Sequence, residues 1–232
     1  MKPAIIRLDE ITPQPWRNGG GHTRELLRLH GANHSTWQCR ISVADIESDG
    51  PFSAFDDVER WFAVVEGAGV VLRFASRETT LLKSSPPFCF DGGTPPDCQL
   101  IHGATRDLNL MTAKGSGKMN IAYDRLAWRA ISTPSMSSAP LSSLTPSMPP
   151  TSPTLSRPPT PSAQCGLFTT AAGYIHCDAL SDQPIGPIAA HSLVWFSELP
   201  IKPLVFEALH QATQCIGWWL SFSPSEAKRK EF

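Results

Sequence analysis

The sequence lacks most of the features that would announce an enzyme, a nucleic-acid binder or a membrane protein. Its 232 residues carry 20 Lys plus Arg against 21 Asp plus Glu, a formal net charge of -1. No basic excess is left to meet a phosphate backbone, so nucleic acid is not the expected partner. No apolar run approaches the roughly eighteen residues of a membrane helix, and no membrane association is expected. The opening MKPAIIRLDE has too short an apolar run for a signal peptide. Six cysteines occur and no two are spaced C-x-x-C, which argues against a zinc ribbon or a thioredoxin-like pair. Several sit in apolar strings such as PFCF, as free buried thiols do. The expected compartment is the reducing cytoplasm.

Metal and nucleophile signatures are also missing. None of the seven histidines forms H-x-H. His30 and His34 are four apart, but Gly31 and Asn33 between them disfavour the helix that would align them. A catalytic zinc or iron needs about three rigidly held protein ligands, and none is assembled. The sequence therefore predicts no metal and no cofactor. G-x-S-x-G is absent, so a serine nucleophile has no elbow. Gly19–Gly21 make a glycine-rich stretch, yet the surrounding pattern is neither a P-loop nor G-x-G-x-x-G after a strand.

What is present is punctuation at short intervals. Alternating runs at Trp37–Ala44, Trp61–Glu66, Gly69–Phe74, Thr79–Lys83, Phe88–Phe90, Cys98–His102 and Asp107–Thr112 are separated by SDGPF, EGAG, SSPP, DGGTPPD and HGATRD. Short strands at such spacing predict an all-β sandwich or barrel. EGAG, Glu66–Gly69, reads as a tight hairpin turn. Residues 132–163 hold nine prolines, ten serines and five threonines, and are expected to be a disordered insertion. Its PxxP-like spacings suit either a partner-binding segment or a plain spacer. Cys165–Cys177, Ile188–Phe196, Leu204–Ala208 and Gln214–Phe222 then return to strand-like alternation.

The chemistry-bearing residues fall on period-2 faces. In WQCRISVA, Arg40 and Ser42 point away from Cys39, Ile41 and Val43; in DLNLMT, Asp107, Asn109 and Met111 point away from Leu108 and Leu110. In a plain sandwich such a polar face meets solvent. In a barrel it lines the interior, where an arginine needs an acid or an anionic ligand. Phe52 and Phe55 read as loop anchors with Ser53 and Arg60 as polar companions, and Arg60 reads equally as a solvated loop residue.

The motifs WRNGGGHTRE, W-x-x-R-I-S-V-A-x-I, G-P-F-S-x-F-x-x-V-E-R, E-G-x-G, P-F-x-F-D-G and D-L-N-L-M, in that order over about residues 5–115, resemble the HutD/Ves family. The resemblance implies an all-β bicupin: two cupin-like antiparallel β-barrels, one over 1–118 and one over 119–131 with 164–228. It implies a non-enzymatic binder or regulator in histidine utilisation, sensing a small polar acid such as formylglutamate. The metal-binding cupin signature G-x5-H-x-H-x3-4-E is absent. Inside such a barrel Arg40, Ser42, Asp107 and Asn109 become pocket residues. Asn18, Thr23 and Glu25 border the pocket, with Ser53 and Arg60 beside it, while Arg24 alternates away towards an acid elsewhere.

Two functions follow. In the first, arginine forks and amides hold a small anionic metabolite, and binding biases a loop or a homodimer contact. The rival is a metal-independent cupin enzyme using Glu25 or Asp107 as general base beside Arg40, although an adjacent arginine lowers a carboxylate's basicity.

Overall fold

The computed structural model describes residues 2–31, 36–130, 162–177, 183–210 and 215–224. The Pro/Ser/Thr-rich segment lies outside the described residues apart from its last two, as does the charged tail. Among the described residues no helix is long and apolar enough to cross a membrane, and no group of His, Cys, Asp and Glu is arranged to hold a metal ion.

Before residue 131 the strands are β1 (Ala4–Arg7), β2 (Gln14–Pro15), β3 (Gly21–His30), β4 (Trp37–Ile46), β5 (Gly50–Pro51), β6 (Val58–Glu66), β7 (Val70–Arg73), β8 (Glu78–Leu81), β9 (Phe88–Asp91), β10 (Asp97–Leu100), β11 (Thr105–Ala113) and β12 (Gly117–Tyr123). After it come β13 (Gln164–Thr169), β14 (Gly173–His176), β15 (Ile185–Ile188), β16 (Ser192–Phe196), β17 (Val205–Ala208) and β18 (Cys215–Phe222). A 3-10 turn, Leu8–Glu10, follows β1.

The strands form four antiparallel layers. β5-β10-β7-β8 is one sheet, β2-β3-β4-β11-β6-β9 the next, β1-β16-β13-β18-β12 the third and β15-β14-β17 the last. Three apolar clusters separate them. Phe62, Val64, Phe90, Val70, Leu72 and Cys98 fill the first gap. Cys39, Ile41, Val43, Leu108 and Leu110 meet Phe168, Trp195, Trp218 and Leu220 in the second. Leu167, Phe196 and Trp219 meet Ile175, Ile188 and Phe206 in the third. Each fully buried aliphatic or aromatic side chain contributes roughly 1.5–3 kcal/mol, so this layering is where the fold's stability is concentrated.

The all-β expectation holds, but none of the four sheets closes on itself as a barrel. Nor is EGAG a hairpin. β6 and β7 lie in different sheets, and the turn carries the chain across the gap between layers. Gly67 and Gly69 take φ of +95° and +106° there. The Thr105 hydroxyl pins the corner, accepting from the Gly69 amide at 3.3 Å and donating to its carbonyl at 3.2 Å. Period-2 alternation gives a strand's faces; it does not say which sheet the next strand joins.

Sequence neighbours are also exchanged between sheets. β1 pairs with β16, bringing Ala4 opposite Trp195 and Arg7 opposite Ser192. β12 pairs with β18 over Gly117–Tyr123.

Candidate functional site

The pocket sits between the first two sheets, on the face of β4, β11 and β6 that the apolar set leaves free. Register places its side chains in rows. Met111 lies opposite both Arg40 and Arg60, Asn109 lies opposite Ser42 and Phe62, and Asp107 lies opposite Ala44 and Val64. The cavity holds about 440 Å³ and is lined by Pro15, Trp16, Arg17, Asn18, Thr23, Arg40, Ser42, Ala44, Pro51, Phe52, Ser53, Phe55, Arg60, Asp107, Asn109 and Met111. That is the size of a small-molecule site.

Eight of the nine candidate residues therefore share one wall: Asn18, Thr23, Arg40, Ser42, Ser53, Arg60, Asp107 and Asn109. Glu25 does not line it. It stands behind Arg40, accepting from Arg40 Nε at 2.8 Å and from Arg28. Its expected place at the rim is thus corrected. Opposite Ser42 on β3, it has a guanidinium on either side and is drawn to them. Burial would raise the Glu25 pKa, but the hydrogen bonds from Arg28 and Arg40 outweigh it and leave the carboxylate below its ordinary range. Arg24 does alternate away, pairing with Asp45 at 2.6 Å.

The WRNGGG turn builds the mouth. The Trp16 amide donates to Gly21 O at 2.9 Å, the Trp16 indole donates to Thr23 Oγ1 at 2.7 Å, and Asn18 Oδ1 accepts from the Gly20 amide at 3.1 Å. Gly19 takes φ of +72°. A Cβ on Gly21 would strike the Asp45 carbonyl, so this glycine lets β3 close on β4.

The floor is Arg60. It is on a strand, not in a loop, and only 6% exposed. Its guanidinium lies 4.8 Å from the Phe52 ring centroid and 5.2 Å from that of Phe90, a cation–π clamp. Nη2 donates to Asn109 Oδ1 at 2.9 Å, and Asn109 Nδ2 in turn donates to Asp107 Oδ2. Nε is buried without any acceptor. Burial pulls the Arg60 pKa down to about 10, opposed by Asp107 and assisted by Arg40. Asp107 is 1% exposed, and burial pushes its carboxyl up to about 8 against the pull of Arg60 and of the Asn109 hydrogen bond. Burial thus biases the carboxyl towards its neutral form, which weakens its role as a counter-ion to the Arg60 guanidinium.

Alternation alone identified the polar rows. It put Met111 on the face of Asp107 and Asn109, where Met111 does line the cavity, and gave no sign of Trp16 or Arg17 as lining. Phe52 and Phe55, legible only as loop anchors, turn out to line the pocket, and Phe52 clamps Arg60.

Residues 8–139 match the HutD family, more than half of the chain. The chain belongs to the HutD family. An uncharacterised 21.2 kDa protein in the hutC 3′ region of Pseudomonas putida is 36% identical over 109 residues, covering 47% of this chain and 57% of that protein. Protein Ves of Citrobacter koseri is 36% identical over 119 residues, 51% of this chain and 60% of that protein. The chain thus spans less than two thirds of these relatives' length. In three dimensions it resembles the conserved protein of unknown function PA5104 from Pseudomonas aeruginosa, with TM-score 0.67, 26% identity, and 95% and 97% of the two chains covered. HutD from Pseudomonas fluorescens, solved in a formate condition, shares the fold with TM-score 0.62 and 22% identity over 95% and 97% of the chains.

Proposed function

We propose that this HutD-family chain is a non-enzymatic binder of a small anionic metabolite, a polar acid such as formylglutamate, and reports its level in histidine utilisation. One observation carries the reading: Arg60 lines an open cavity while its Nε is buried just beneath the surface with no acceptor in the protein. A buried unpaired donor on a charged group costs at least ~1–3 kcal/mol unless something fills it. A carboxylate does so with a charge-assisted bond, and Asn109, Ser42 and Ser53 offer polar contacts to the rest of the ligand. A relative placed beside hutC supports the pathway.

The same reading takes the four layers as a bicupin, 1–118 with 119–131 and 164–228, in which β1 is exchanged between the halves. It places the protein in the cytoplasm, with a homodimer as the unit that responds and no nucleic-acid partner. The test is calorimetry of the full chain with formylglutamate, urocanate, glutamate and histidine. Heat with one of them, with affinity about tenfold to a hundredfold weaker in Arg60→Met, is the expected result. Folded protein giving no heat with any of the four overturns it.

The second reading, a metal-independent enzyme, is favoured by the raised carboxyl of Asp107, since perturbed acids gather at catalytic sites. Glu25, held ionised between two arginines, is a poor base. Turnover of a candidate acid, lost in Asp107→Asn, would establish this alternative.

A further inference from the structure

A chain of ion pairs leads from the back of the pocket wall to the other half of the molecule. Arg24 on β3 meets Asp45 on β4 at 2.6 Å, Asp45 meets Arg106 on β11 at 2.7 Å, Arg106 meets Glu66 at the end of β6 at 2.8 Å, and Glu66 meets His191 Nε2 at 3.0 Å. His191 immediately precedes β16, in the third sheet. It takes φ of +54°, a conformation a side chain adopts at some cost. Its carbonyl accepts from the Leu8 amide at 2.9 Å, so one residue ties the N-terminal crossover, the end of β6 and the start of β16.

A β-bulge makes this possible. Opposite β11, Val64 faces Asp107 and Glu66 faces Arg106, so Val65 is the extra residue. Arg60, Phe62 and Val64 share the pocket side; Ala63 and Val65 pack in the second gap. Strict alternation would send Glu66 to the pocket side, one row beyond Asp107. The bulge turns it to the back instead, beside Arg106 and His191. The sheet face that carries Asp107 is thereby spared a second carboxylate.

We propose that His191, acting through Glu66 and Arg106, is a positioning residue for the pocket: it pins the bulge that keeps Glu66 off the pocket face and Asp107 aimed into it, so the C-terminal half governs how the pocket holds its ligand. This rests on the binding reading above. The groups that act on Asp107 are Arg60 on β6, Asn109 beside it on β11 and Asp45 on β4, and Cys98 on β10 is in turn raised by Asp107. His191 itself meets Glu66 and packs 6.5 Å from the Phe168 ring.

The test needs no ligand, so its failure is distinct from a failure to bind. The protonated-carboxyl band of Asp107 is isolated by infrared difference between the full-length protein and Asp107→Asn, and followed with pH. His191→Gln removes the contact to Glu66, and His191→Lys, which keeps a cation there, is the control for charge. A displacement shared by both variants reports position. The expected result is a midpoint lower by about one pH unit, a tenfold change in acid dissociation, as the carboxyl gains water. Should His191→Gln fold poorly, His191→Asn supplies the second variant, since asparagine tolerates the left-handed backbone at this position. An unmoved Asp107 midpoint in whichever of the two variants folds overturns the proposal.

Discussion

Arg60 gives Nη2 to Asn109 Oδ1 at 2.9 Å and has nothing for Nε. Nη2 is thus spent on orienting the arginine, while Nε has no protein acceptor. The amide that orients it also leans on Asp107, so arginine, amide and acid respond as one unit.

Replacing Arg60 by methionine should therefore separate binding from stability. Hydrogen bonds to charged groups are worth ~1.5–3 kcal/mol, so acid binding falls by about tenfold to a hundredfold. Stability is expected to hold or rise, because an uncompensated buried charge gives way to an apolar side chain between Phe52 and Phe90. Calorimetry and urea denaturation of the same preparation read the two effects. Loss of stability without loss of affinity would contradict this assignment.

Asp107 should write its own pH dependence. Its folded pKa, raised to about 8, stands above the ordinary 3.8. Between those values the folded state holds a proton that the unfolded chain has released. The contribution is fully present below about pH 4 and is lost as pH rises through 8. Stability measured by urea should decline across that window, and Asp107→Asn should flatten the decline. Affinity for an anionic ligand should weaken above pH 8 for the same reason, as a carboxylate appears beside Arg60.

Glu25 has the opposite sign. Held below the usual carboxylate range by Arg28 and Arg40, it stabilises the folded state above its unfolded pKa, and that stability is lost as pH falls through the lowered folded value. Glu25→Gln should cost about 1 kcal/mol at neutral pH, a difference that disappears in acid. An equal cost at both pH values would show a packing effect instead.

The corner at Gly67 gives a backbone prediction. With φ of +95° and the Ala104 carbonyl 2.6 Å from where a Cβ would stand, Gly67→Ala should destabilise by roughly 1–3 kcal/mol. Thermal unfolding checks it. A neutral effect would mean that the chain crosses between sheets some other way.

How much of this was legible beforehand depended on whether the signal was local. Arg40, Ser42, Asp107 and Asn109 could be placed on shared faces because a strand's period is fixed by its own backbone. Their arrival in one pocket followed from antiparallel register, which no single strand encodes. Glu25 misled because alternation gives a side and not a partner, and two arginines claimed it. Glu66 defied alternation outright, since a bulge has no signature in VVEG. The clamp on Arg60 needed Phe90 from β9, about thirty residues along.

The first strand has a consequence for folding order. Ala4–Arg7 finds its partners at Ser192–Trp195, nearly the whole chain away, and such distant contacts are slow to form. The sheet behind the pocket wall stays three strands short until the far half has been made and has come back to meet the beginning. A fragment ending near residue 118 would keep every polar residue of the pocket yet leave β1 without its partner and stop before most of β12. The molecule is in this sense laced shut from its two ends, and the pocket's backing is completed last.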